Sequence, residues 1–127
     1  MHVLVDWDRL EYIELNGWFR QKQIELEGVF VAMQEGDRAV ASNAPMKTHS
    51  HPHWQLGHIL EGEAALTIGD SHQVVRAGET YVIPGGETHG FQPKSRIRLL
   101  SIYVHPGPDH AEAYRAKNSP LKGGTRS

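Results

Sequence analysis

The chain has 127 residues, 39% hydrophobic and 22% charged, with a formal net charge of −2; it fits one domain and is neither disordered nor membrane-like in composition. Lys and Arg are dispersed, which argues against a nucleic-acid partner, and no apolar run approaches the roughly 18 residues of a membrane span. The lack of cysteine excludes disulfides, thiolate catalysis and Cys-ligated metals, whereas six of the nine histidines fall between His49 and His89.

In chain order, residues 1–10 read as an N-terminal extension in which residues 6–10 can form one helical turn. The acidic residues among the first sixteen, Asp6, Asp8, Glu11 and Glu14, are unlike the apolar stretch of a signal peptide, so a cytoplasmic domain is expected. Residues 11–105 are punctuated at short intervals by Gly and Pro. Between these lie short β-type runs at 29–33, 66–68, 80–83 and 97–104, the pattern of an all-β sandwich or barrel. On an early strand either Gln23 and Glu25 or Lys22 and Ile24 face inward; the pattern leaves both registers open. Gly69-Asp70-Ser71 reads as a hairpin turn between runs at 64–68 and 72–76. On the last strand, alternation puts Leu99, Ser101 and Tyr103 on the inner face. Residues 106–127 hold a short helix, capped by Asp109 and running to Lys117, and then a small, polar, Gly-rich tail expected to fray.

The segment from Thr48 to Gln55 is the most informative. His49 and His51 are two apart, so on a strand both imidazoles point to one face, and Gln55 shares that parity if the strand continues past Pro52. His89 comes from a separate segment, after Pro84, Gly85 and Gly86. Three imidazoles and an amide oxygen converging inside a barrel make a site for a divalent transition metal with coordination positions left for water or substrate. His53 has a parity that permits a pocket-lining position. His58 has the opposite parity and belongs on the outer face or at a dimer interface. His2, His72, His105 and His110 read as surface residues, and Trp7, Trp18 and Trp54 as core or interface packing.

These spacings resemble the two motifs of the cupin family. His49, one residue, His51, three residues, Gln55, six residues and Gly62 match the first, with Gln55 where most members carry Glu and Asn43 where the motif usually opens with Gly. Gly78, five residues, Pro84, one residue, Gly86, two residues and His89 match the second, with Pro93 where many members have Asn. The fifteen residues between the motifs are typical of small single-domain cupins. The resemblance implies an all-β, double-stranded β-helix of jelly-roll type, with His49, His51, Gln55 and His89 holding one divalent ion per chain (Ni, Fe, Zn, Mn or Cu). The chain is also similar to small cupins that open unsaturated monouronates, including the His-x-His-Pro-His-x-Gln run. Ser101, however, stands where those enzymes carry Asp, Tyr103 at their aromatic position, and Gly107 where Arg would be. Small cupin polyketide cyclases are comparably similar.

Three neutral imidazoles and a neutral amide leave a divalent cation's charge uncompensated. The ion should therefore act as a Lewis acid on a small anionic, oxygen-rich substrate, in an isomerase, lyase or cyclase. A metal-dependent dioxygenase and a non-catalytic binding module are the alternatives. Tyr103 is the candidate proton donor, its phenol lowered by a nearby cation, with Ser101 and His53 beside it. The expected partners are a small molecule and a second copy of the chain, not nucleic acid or membrane; the dimer is inferred from exposed strand edges and from Trp7, Tyr12, Trp18 and Phe19.

Overall fold

The computed structural model describes residues 4–16, 19–37, 46–104 and 125–126. Alternation of apolar and polar residues sets the main strands. In β4 (Val29–Gly36) and β10 (Ile97–Val104) every second residue is buried, as in a strand with one face on a core. With β2 (Ile13–Asn16), β3 (Phe19–Leu26), β5 (Trp54–Glu61) and β8 (Thr80–Ile83) they form a six-stranded antiparallel sheet in the order β2-β3-β4-β10-β5-β8. A second, three-stranded antiparallel sheet orders β7 (Ser71–Arg76), β6 (Glu63–Ile68) and β9 (His89–Pro93). All four expected runs lie within strands, and the architecture is the all-β one expected. The turn between β6 and β7 is tighter than expected: Ile68 pairs with Ser71, so only Gly69 and Asp70 form the loop, and Gly69 takes a φ of 56°, a conformation that glycine adopts without strain.

The two sheets share a core at one end of the interior, where Ile59, Ala64, Leu66, Val75, Tyr81, Ile83, Ile97 and Leu99 are buried together. Leu99, Ser101 and Tyr103 are all buried, as parity requires. Cross-strand pairing decides the register of β3. Gln21, Gln23 and Glu25 pair with the inward residues Gln34, Ala32 and Phe30 of β4, so Gln23 and Glu25 take the inward parity. Lys22 is buried on the opposite face, where it donates to the Trp7 carbonyl and lies 4.4 Å from the centre of the Tyr12 ring.

The N-terminal segment is thus fastened to the outside of the sheet. Strand β1 (Leu4–Val5) precedes a single 3-10 turn, Trp7–Arg9, capped by the Asp6 carboxylate, which accepts from the Asp8 amide at 3.1 Å. Further along, Arg20 donates to Glu35, with Arg98 3.7 Å away on the same carboxylate. Burial works to raise the Glu35 carboxyl, but bonds from Arg20 and Tyr12 outweigh it, so the group lies below its usual value. Tyr12 is pushed up to about 12, chiefly by burial. The Glu35 contribution to stability is therefore present above the ordinary carboxylate range and is lost as pH falls through its lowered value. β11 (Thr125–Arg126) pairs with β1, so two residues of the segment expected to fray are held in a ladder. The helix expected over 109–117 lies outside the described residues. No helix among the described residues is long and apolar enough to cross a membrane.

Gly57 faces inward on β5 opposite Tyr81, and a Cβ there would stand 2.1 Å from the Tyr81 ring. Gly57→Ala should therefore destabilise the fold by about 3 kcal/mol, the upper range for overpacking. In a double-mutant cycle with Tyr81→Ala, measured by urea unfolding, most of that loss should disappear.

Candidate metal centre

His49 and His89 are locked together by their backbones. They form an isolated antiparallel bridge, with the His49 amide donating to the His89 carbonyl at 2.9 Å and the return bond at 2.8 Å. His89 opens β9 of the small sheet, so this bridge brings the 49–51 segment to the mouth of the barrel. The loop before His89 closes against the same segment. Gly86 donates its amide to the His51 carbonyl at 2.8 Å, and a Cβ on Gly85 would fall 2.2 Å from the Pro52 carbonyl oxygen. The two glycines thus serve close backbone approach as well as a turn.

His49, His51 and Gln55 do not share one continuous strand. Residues 50–53 lie outside any ladder and β5 begins at Trp54, because Pro52 has no amide to donate and the chain bends there. Gln55 reaches the site from the new strand. It is buried, pairs with Tyr103 across the ladder, and places its Oε1 3.2 Å from His51 Nε2. The ligand atoms of His49, His51 and His89 all lie within 4.8 Å of one another.

The tautomers suit a metal. His51 Nδ1 faces the His53 carbonyl and His89 Nδ1 the Glu87 carbonyl, each at 2.9 Å. A ring that donates from Nδ1 to a carbonyl leaves its Nε2 lone pair for a ligand, and the buried Nε2 of His89 has no hydrogen-bond partner among the described residues. His49 is shifted below the usual imidazole value by burial and by its two neighbours. His89 is lowered by burial, with the bond to Glu87 partly offsetting this. Both are neutral near pH 7 and able to donate. The residues present therefore fit a divalent ion held by nitrogen and amide oxygen.

His53 is not among the three clustered imidazoles. It stacks flat on His51, centroids 3.9 Å apart, and meets Tyr103 edge-on at 5.8 Å. His58 lies on the outer face and bonds Thr80 Oγ1 at 2.8 Å, and His72 bonds Thr67 Oγ1 at the surface. Trp54 is 53% exposed, which removes it from the core, because it has the outward parity on β5. Trp7 is half-buried. His2, Trp18, Asn43, His105, Gly107 and His110 lie outside the described residues.

Ser101 and Tyr103 belong to a buried polar network. Ser101 Oγ donates to Gln34 Oε1 at 2.7 Å, and Gln34 Nε2 donates to Gln21 Oε1 at 2.7 Å and to the Tyr103 hydroxyl at 3.3 Å. Burial pushes the Tyr103 phenol up, against the opposing effect of its bonds to Gln34 and Ser101. Gln21 and Gln34 are not singled out by the sequence, and Gln23 only as one of two possible inward registers. The available signal was amides at alternating positions, 21 and 23, on a strand whose register the sequence leaves open.

Comparison with known proteins agrees with this picture. The family model described as "Cupin domain" matches residues 30–103. An L-ectoine synthase from Nocardia farcinica is 29% identical over 92 residues, 71% of this chain and 70% of that protein. Among solved structures, KdgF from Halomonas sp. superposes with a TM-score of 0.73 at 15% identity, covering 84% of this chain and 96% of its own. The Fe(II) form of HppE gives 0.65 at 13% identity, covering 76% and 57%.

Replacing His51 or His89 by Ala should weaken binding of Ni(II) or Zn(II) at least ten-fold in calorimetric titration, a usual size for loss of one ligand-shell group, while circular dichroism stays that of a β protein. Protons compete for the same lone pairs, so metal should be lost as pH falls. The lowered His49 and His89 place that loss below the usual imidazole range.

Proposed function

Because the chain belongs to the cupin family, and its three clustered imidazoles suit a divalent metal, we propose that it is a metal-dependent enzyme of the isomerase, lyase or cyclase type, acting on a small anionic, oxygen-rich molecule. The observation that carries this reading is the neutral donor set: His49, His51 and His89 with Gln55 where a carboxylate is more usual. When bound, the ion supplies a Lewis acid whose charge the protein leaves for a carboxylate or enolate to balance. His53 and Tyr103 pack beside His51 and shape the adjoining wall. Ser101 commits its one proton to Gln34 and so works as a positioning residue rather than a base. Tyr103 keeps its proton, since burial raises it, and serves as a hydrogen-bond donor.

Two of the similar proteins support parts of this reading. The Nocardia farcinica relative is named as a synthase of a small molecule, and HppE, of similar fold, holds Fe(II). The proposal includes pairing of two chains through the outer face of the large sheet. There the cross-strand rows Leu26-Val29-Val104-Trp54 and Ile24-Val31-Ile102-Leu56-Val82 are wholly apolar, and Leu26, Trp54 and Val82 are exposed. Sedimentation should give a dimer at micromolar concentration; a monomer alone would remove the pairing.

Gln55→Glu tests the charge argument. The variant should hold Ni(II) at least as tightly as the parent, because a carboxylate neutralises the cation, yet bind citrate about ten-fold more weakly by calorimetry. Equal citrate affinity in parent and variant would remove the Lewis-acid reading in favour of an oxygenase or a binding module.

A further inference from the structure

Of the three clustered histidines, His51 has the least support from the ladders of the fold. His49 and His89 are paired backbone to backbone, and His89 opens a strand. His51 lies in the 50–53 stretch outside any ladder, where its carbonyl accepts from the Gly86 amide at 2.8 Å. Its ring still needs a fixed plane, because an imidazole lone pair serves a metal along one direction only.

His53 fixes that plane in two ways. Its carbonyl faces His51 Nδ1 at 2.9 Å, and its ring lies flat on the His51 ring, centroids 3.9 Å apart and planes 4° from parallel. The carbonyl sets the rotation of the His51 ring, and the stack closes one of its faces. From another side His89 meets His51 edge-on, centroids 4.6 Å apart. His53 can hold a neighbour because it is itself held. It is buried and meets Tyr103 edge-on at 5.8 Å, and Tyr103 stacks on Phe30 at 4.3 Å. Phe30 and Tyr103 are paired across β4 and β10 and share a buried cluster with Ala32. A column of rings, Phe30, Tyr103, His53 and His51, thus runs from the interior of the large sheet to a side chain on a loop. Face-to-face contact is a poor arrangement for two like aromatic rings. It becomes favourable when one of them is made electron-poor by sharing its lone pair with a cation.

We propose that His53 is a positioning residue of the metal centre: its ring, stacked on His51 and braced by Tyr103 and Phe30, holds the His51 imidazole in the plane in which it binds a divalent ion. The role belongs to the aromatic face of His53 and not to its nitrogens, which sets it apart from His49, His51 and His89. The inference rests on the reading of those three as metal ligands and is independent of the reaction that the ion would assist.

The test titrates Ni(II) and Co(II) into the protein by calorimetry, with the visible spectrum of the Co(II) form as a second readout. His53→Phe keeps the aromatic face and removes both nitrogens; it should bind both ions as the parent does, with the Co(II) bands unchanged. His53→Leu keeps apolar bulk and removes the stack. It should bind at least ten-fold more weakly, the usual cost of losing a group that orients a ligand, with the Co(II) bands shifted. A packing role alone would lower the melting temperature of the metal-free protein and move neither readout. Because the effect passes through His51, His53→Leu should add nothing to the loss already caused by His51→Ala. Parent-like affinity and bands in His53→Leu would overturn the proposal. Equal losses in the Phe and Leu variants would overturn it by assigning the effect to a ring nitrogen, and an added loss on the His51→Ala background would overturn it as well. If His53→Phe does not fold, His53→Leu decides the matter, alone and on the His51→Ala background. A parent that binds neither ion would remove the metal reading and this proposal with it, an outcome distinct from tight binding that ignores His53.

Discussion

Two hydrogen bonds between the backbones of His49 and His89 hold the site together. They join a segment that belongs to no ladder to the first residue of a strand in the small sheet, while Gln55 arrives from the large one. Without that bridge, the 49–51 segment would keep the backbone bond from the Gly86 amide but would lose the pairing that sets His49 beside His89. Donor sets of this kind depend on backbone placement, because a histidine has only two torsions with which to correct an error. The close approach of Gly85 to the Pro52 carbonyl and of Gly90 to the Lys47 carbonyl shows what the bridge demands: at both places a side chain would push the two segments apart.

The interior is graded along its length. Aliphatic residues of both sheets fill one end, and from there towards the histidines the inward positions turn polar, from Leu99 to Ser101 to Tyr103 on β10 and from Ile59 to Gly57 to Gln55 on β5. The apolar end supplies the burial that stabilises a domain of this size. The polar end is held by amides and hydroxyls whose geometry is over-determined by one another. Stability and chemistry are thus separated in space, which lets the site keep an unpaired polar atom such as His89 Nε2 without unfolding the barrel.

Most of the charge on the large sheet lies on its outer face. Arg20, Arg98, Glu35 and Tyr12 form one cluster on the outer face, and Lys22 is buried against the N-terminal segment rather than in the interior. His49 and His89, shifted towards neutrality, and the amides of Gln21, Gln23, Gln34 and Gln55 add no fixed charge to the inner face, where Glu25 is the carboxylate of inward parity on β3. The strength of a bound ion's field is set by what the protein withholds as much as by what it supplies.

The sequence by itself determined the strand content, the inward residues of β10, the Gly69 turn and the identity of the candidate ligands, because alternation and glycine chemistry act between neighbours in the chain. It also carried a premise that the structure corrects: His49, His51 and Gln55 are brought near one another across a break at Pro52 and not along one strand. Only the tertiary structure decided the register of β3, the outward placement of Trp54, the stacking of His53 on His51 and the joining of Gln21, Gln34 and Ser101 in one buried network. Each of these depends on pairing between residues far apart in sequence. Both faces of β3 carry polar residues, since Gln23 and Lys22 are each buried, so no hydrophobic pattern marks the inner face and only the ladder to β4 can fix which amides look into the barrel.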